Sequence, residues 1–111
     1  MTDLPAIEWL TVPDLVELLD LTPSRVRRLI EDRHLVATRR GGVLSVPAVF
    51  VRDGEPLTEL RGTITVLTDL RFSDDEIVEW LITPNDLLDT SPIAALLAGR
   101  KAEVRRIAQA L

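Results

Sequence analysis

The chain has 111 residues, 46% of them hydrophobic, enough to bury the core of one compact domain or of two very small ones that share it. With no cysteine and a single histidine it excludes disulfides, thiolate metal sites, cysteine nucleophiles and multi-histidine metal clusters. The net charge of −5 argues at first against a nucleic-acid partner, yet residues 22–52 hold seven arginines against Glu31 and Asp32, a local balance of +5 that leaves −10 for the remainder. The Debye length at physiological salt is about 8 Å, so acidic residues far from that stretch are largely screened from an anion held against it.

The opening MTDLPAIEWL lacks a basic region followed by an apolar stretch, and no run approaches the about 18 apolar residues that span a bilayer; a cytoplasmic protein with no membrane partner is expected. Thr11 with Asp14 reads as a capping box for a helix over 12–19. Thr22 followed by Pro23 reads as an N-cap with proline at the first helical position, opening a second helix over 23–32. The turn between them carries Asp20, a residue type that tolerates the left-handed conformation better than most. Val26, Leu29 and Ile30 share one face of the second helix and are expected to pack on Leu15, Leu18 and Leu19 of the first. Ser24, Arg25, Arg27 and Arg28 are left on or beside the exposed face. His34 reads as an ordinary residue after the helix rather than a cationic cap or a phosphate contact.

Arg40-Gly41-Gly42-Val43 is a hairpin signal, because the two glycines supply the positive φ values of a tight two-residue turn. The strands it predicts are 35–39 and 43–46, with Pro47 ending the second, a brief helix over 48–51, and a linker over 52–56. Leu57, Leu60, Ile64 and Leu67 follow a helical stripe, whereas Thr63-Ile64-Thr65-Val66 favours a strand by propensity; the sustained spacing decides for helix over 57–71. Ser73 with Glu76 predicts a helix over 73–82, Thr83-Pro84 one over 84–88, and a last helix over 92–110 is expected to break at Gly99. The expected fold is mainly α. A winged helix-turn-helix fills residues 1–52, its two-stranded β-hairpin wing being the only sheet, and a C-terminal helical bundle over 57–111 packs against it.

A winged helix-turn-helix puts the start of its second helix into the major groove and lets the hairpin reach the neighbouring backbone. Arginine suits both places, because its planar fork grips guanine or a phosphate oxygen pair through two bonds. The expected DNA-binding residues are therefore Thr22, Ser24, Arg25, Arg27 and Arg28 on the helix and Arg39, Arg40, Gly41 and Gly42 on the wing. The competing explanation for the helix arginines is a solvated face with Glu31 as intrahelical partner. Trp9 and Trp80 lie outside the basic stretch and read as core or interface anchors rather than base-stacking platforms. Asp74, Asp75, Glu76 and Glu79 gather at a helix start, where they favour the macrodipole. No catalytic constellation, metal site or cofactor motif accompanies them, and no enzymatic activity is expected.

The stretch LTVPDL…LTPSRVRRLI…GG…VP, over about residues 10–50, resembles the winged-helix module of excisionase-like and MerR-like regulators. Taken whole, the chain resembles a small actinobacterial family of winged helix-turn-helix DNA-binding proteins that are substrates of a membrane Ser/Thr protein kinase. That resemblance implies a double-stranded DNA partner, a kinase partner, and a phosphorylated threonine in the N-terminal tail, whose counterpart here is Thr2. A phosphoryl group beside a basic face adds about −1.5 to −2 charge and would oppose DNA binding by repulsion. Trp80-Leu81, Pro84-Asn85, Leu88, Ser91-Pro92, Leu96-Leu97 and Gly99 are similar to the helical toxin-binding domain that ends some Xre-type antitoxins. The expected function is DNA binding as a transcriptional regulator. Its rival is an antitoxin-like or adaptor module that acts through the C-terminal helices, which are also where a second copy or a protein partner is expected to associate.

Overall fold

Thr11 and Asp14 exchange hydrogen bonds, Thr11 N donating to Asp14 Oδ2 at 2.9 Å and Asp14 N to Thr11 Oγ1 at 3.4 Å. This capping box starts helix α1 (Val12–Leu19) in the computed structural model, which describes residues 7–111. α1 ends at Asp20 in the left-handed conformation, φ 56° and ψ 48°, the role foreseen for that aspartate. The Thr22 hydroxyl then accepts from Arg25 N at 3.2 Å and opens α2 (Pro23–Glu31). Leu15, Leu19 and Val26 are buried between the helices, with Leu29 and Ile30 partly so. Leu18 departs from expectation and is 50% exposed, because it lies about 80° round the helix from the line through Leu15 and Leu19.

The wing belongs to a larger sheet than the hairpin signal implies. Strands β1 (Trp9–Thr11), β2 (Thr38–Arg40) and β3 (Val43–Pro47) pair antiparallel in the order β1-β3-β2, with Trp9 opposite Pro47 and Arg40 opposite Val43. The two-stranded hairpin forms as expected, but its sheet gains β1 as a third strand, and it is not the only sheet. β2 also begins later than predicted, since Leu35, Val36 and Ala37 are buried in the core ahead of the strand. A 3-10 turn over Ala48–Phe50 follows, and the expected linker is a second small hairpin, β4 (Val51–Arg52) with β5 (Glu55–Pro56). Its corner, Asp53 at φ 56° and Gly54 at φ 75°, is the Asp-Gly pair that such turns favour.

Helix wins over strand in the ambiguous segment: α3 (Leu60–Asp69) buries Leu60, Thr63, Ile64 and Leu67. α4 (Asp74–Ile82) opens with the predicted capping box, Ser73 N donating to Glu76 Oε1 at 2.8 Å and Glu76 N to Ser73 Oγ at 3.2 Å. No helix forms over 84–88. Thr83 turns its hydroxyl back to the Glu79 carbonyl at 2.6 Å, and Asn85 Oδ1 accepts from Leu87 N at 2.9 Å inside a turn closed by a bridge between Asn85 and Thr90. An asparagine that bonds its own backbone competes with the helix that Thr-Pro would otherwise start. α5 (Pro92–Leu97), capped by Ser91, and α6 (Lys101–Gln109) are separated at Gly99, φ 83°.

One buried cluster runs through both halves, from Leu15 and Val26 past Phe50 to Leu60, Leu67, Leu81 and Val104. α3 and α6 cross closely at Gly62, where an added Cβ would run into the Arg105 guanidinium, 2.7 Å from its Cζ. Among the described residues no helix is long and apolar enough to cross a membrane.

Candidate nucleic-acid interface

The start of α2 is built to present polar groups. Pro23 occupies the first turn, where its missing N–H leaves nothing unsatisfied, and Thr22 caps the helix while its hydroxyl lies 3.3 Å from Ser24 Oγ. Val26 points inward, fully buried, which turns Arg25, Arg27 and Arg28 outward. These three make no side-chain hydrogen bond or ion pair among the described residues, and Glu31 is paired with none of them. The intrahelical ion pair that would have explained them as a solvated face is therefore absent from the described contacts. Ser24, Arg25 and Arg28 line an open depression of about 560 Å³ together with Leu21 and Leu29.

The wing tip is the Gly41–Gly42 corner, at φ 58° and 82°, conformations that side chains with a Cβ rarely adopt. Arg39 closes it by donating from Nη1 to the Gly42 carbonyl at 3.3 Å. Arg40 lies over the Trp9 ring with its Cζ 4.3 Å from the centroid, a cation–π contact that spans the sheet from β2 to β1. Trp9 is partly buried against the core, as expected of an anchor, and in addition carries a wing arginine on its ring, a role invisible without the β1 pairing. Val43, 49% exposed, stands beside the tip.

Two of the seven arginines leave this surface. Arg33, at φ 66°, swings toward the C-terminal half, where Nη1 lies 3.0 Å from Asp74 Oδ1 and Nη2 lies 2.7 Å from Thr68 Oγ1. Arg52 donates to the Leu97 carbonyl at 3.4 Å. Arg25, Arg27, Arg28, Arg39 and Arg40 remain, all exposed. His34 contributes its backbone N–H to the Leu29 carbonyl at 2.9 Å, as an ordinary helix end does.

The acidic group at the start of α4 is divided among structural tasks. Asp74 pairs with Arg33, Asp75 accepts from the Thr38 hydroxyl, and Glu76 completes the capping box. Among the described residues no group of three or more His, Cys, Asp or Glu side chains could hold a metal ion. Trp80 is half-buried beside Phe72, Glu76 and Glu79. Thr2 lies outside the described residues, and Thr11 is committed to its cap.

Residues 3–51 match the family model described as the winged helix-turn-helix domain of the DNA-binding protein Rv2175c, and residues 57–111 match the Rv2175c C-terminal domain of unknown function. The DNA-binding protein Rv2175c of Mycobacterium tuberculosis is 35% identical over 113 residues, an alignment that covers 90% of this chain and 77% of that protein. The NMR structure of Rv2175c superposes with a TM-score of 0.86 at 33% identity, covering 99% of this chain and 84% of that one. The chain belongs to the Rv2175c family, with that family's winged helix-turn-helix DNA-binding domain followed by its C-terminal domain.

Proposed function

We propose that this protein binds duplex DNA as a transcriptional regulator, with the start of α2 in the major groove and the wing on the adjacent backbone. The observation that carries this reading is the set of three exposed α2 arginines without side-chain partners, beside a glycine-cornered wing that bears two more. Arg25, Arg27 and Arg28, with Thr22 and Ser24, meet base edges and phosphates. Arg39, Arg40 and the N–H groups of Gly41 and Gly42 meet the backbone. Arg40, pre-set on Trp9, loses little conformational freedom when it engages a phosphate. The membership of a family whose Mycobacterium tuberculosis relative is named a DNA-binding protein supports the same reading.

Fluorescence anisotropy on duplexes taken from around the protein's own gene, beside a scrambled duplex of equal length, tests it. Affinity should fall steeply with salt, log K losing about 0.9 per decade for each phosphate neutralised. The Arg39→Ala/Arg40→Ala variant should bind more weakly on every sequence and flatten that slope by about two units. No binding to any duplex at low salt would overturn the proposal.

A further inference from the structure

The first turn of α4 reaches out of the C-terminal half and holds both parts of the basic surface from behind. Arg33, just past the end of α2, is fastened to Asp74 and to Thr68 at 3.0 and 2.7 Å. Thr38, the first residue of β2, donates its hydroxyl to Asp75 Oδ1. A further bond runs from Arg61 Nε on α3 to the carbonyl of Asp32, the residue that caps α2, at 3.0 Å. β2 is an edge strand, paired on one side to β3, and α4 packs against it. The segment between α2 and the wing is anchored by the buried Leu35, Val36 and Ala37.

We propose that Asp74, through Arg33, and Asp75, through Thr38, set the angle of the wing to α2 and so let the two engage one stretch of duplex together. Asp75 is then a positioning residue for DNA binding, and the C-terminal half takes part in recognition without touching DNA. This inference rests on the DNA-binding reading above. Its physical content is a sign. Asp75 is bonded to the residue before Arg39, so its negative charge opposes an approaching phosphate, and by Coulomb's law alone its removal strengthens binding. If it positions the wing, its removal weakens binding.

Asp75→Ala and Asp75→Asn separate the two effects, because both remove the charge and only asparagine keeps an acceptor oxygen for the Thr38 hydroxyl. In anisotropy titrations, Asp75→Ala should bind about fivefold more weakly than the parent, the effect of one net hydrogen bond. Asp75→Asn should bind at least as tightly as the parent. In the Arg39→Ala/Arg40→Ala background Asp75→Ala should change nothing further, since its effect travels through the wing. Should Asp75→Ala fail to fold, Thr38→Val against Thr38→Ser makes the same comparison from the other partner, and valine should be the weaker binder. Equal affinity within either pair, or a loss undiminished in the wing background, overturns the positioning role while leaving DNA binding intact. A parent protein that binds no duplex overturns both.

Discussion

Arg25, Arg27 and Arg28 on α2 and Arg33, Arg61 and Arg100 elsewhere in the molecule are the same side chain in contrasting settings. The first three project from an exposed face without a side-chain partner among the described residues. Of the others, Arg33 is bonded to Asp74 and Thr68, Arg61 to the Asp32 carbonyl, and Arg100 to Glu103 and to the Leu88 carbonyl at 3.1 Å. Fixing an arginine costs up to about 2 kcal/mol of rotamer entropy. The fastened arginines meet that cost on folding, whereas on α2 it is left for a ligand to meet. What divides them is the reach of their partners: Arg33 and Arg61 tie one half of the molecule to the other, whereas the α2 arginines have no side-chain partner among the described residues and Arg39 and Arg40 are held only within the wing sheet, exposed to solvent.

That division breaks if the two sets respond alike to removal. The largest effect is expected for Arg25→Ala/Arg27→Ala/Arg28→Ala, which should lower DNA affinity by at least about two orders of magnitude if each contact is worth roughly 1–3 kcal/mol. Its melting temperature should hardly move, because surface substitutions of this kind usually change stability by less than about 0.5 kcal/mol each. Calorimetry and anisotropy on the same preparation check both halves of the statement. Arg33→Ala should show the reverse balance. Its side chain is 25% exposed and its two partners come from α3 and α4, so a loss of about 1–2 kcal/mol in denaturant unfolding is expected, with a smaller effect on DNA affinity than the triple variant.

The smallest effect is expected at the α3–α6 crossing. Gly62→Ala would displace the Arg105 guanidinium, the free end of a flexible side chain whose buried Nε has no hydrogen-bond partner. The gain in helix propensity, about 0.8–1 kcal/mol, opposes the packing lost. The net change in stability should stay within about 1 kcal/mol, and a loss of several would mean that Arg105 is locked where it lies.

The helix-turn-helix and wing corner were legible because their signals are local: a capping hydroxyl, a proline at the first turn, an aspartate at the tight corner, two adjacent glycines. Helix α3 was legible because a sustained apolar stripe outweighs the propensity of a few β-branched residues. β1 was not. Three residues, Trp9 to Thr11, are a strand only because Ser45 to Pro47 come alongside, and nothing near Trp9 in the chain announces that. The helix expected over 84–88 failed on a competition between two local rules, the Asn85 side chain satisfying the backbone that Thr83-Pro84 would have wound. Of the basic residues, the exposed three on α2 followed from helical periodicity. The withdrawal of Arg33 did not, since it depends on one left-handed residue and on a carboxylate that lies 41 positions away.

The stacking of Arg40 on Trp9 also gives the molecule a built-in optical reporter. The chain has two tryptophans, and only Trp9 carries a wing arginine on its ring, while Trp80 lies half-buried beside Phe72 on the other half. If Arg40 engages a phosphate from its place on the indole, as proposed, the emission of Trp9 should change while that of Trp80 serves as an internal reference. On that reading, occupancy of the wing could be followed without any label, separately from engagement of the helix.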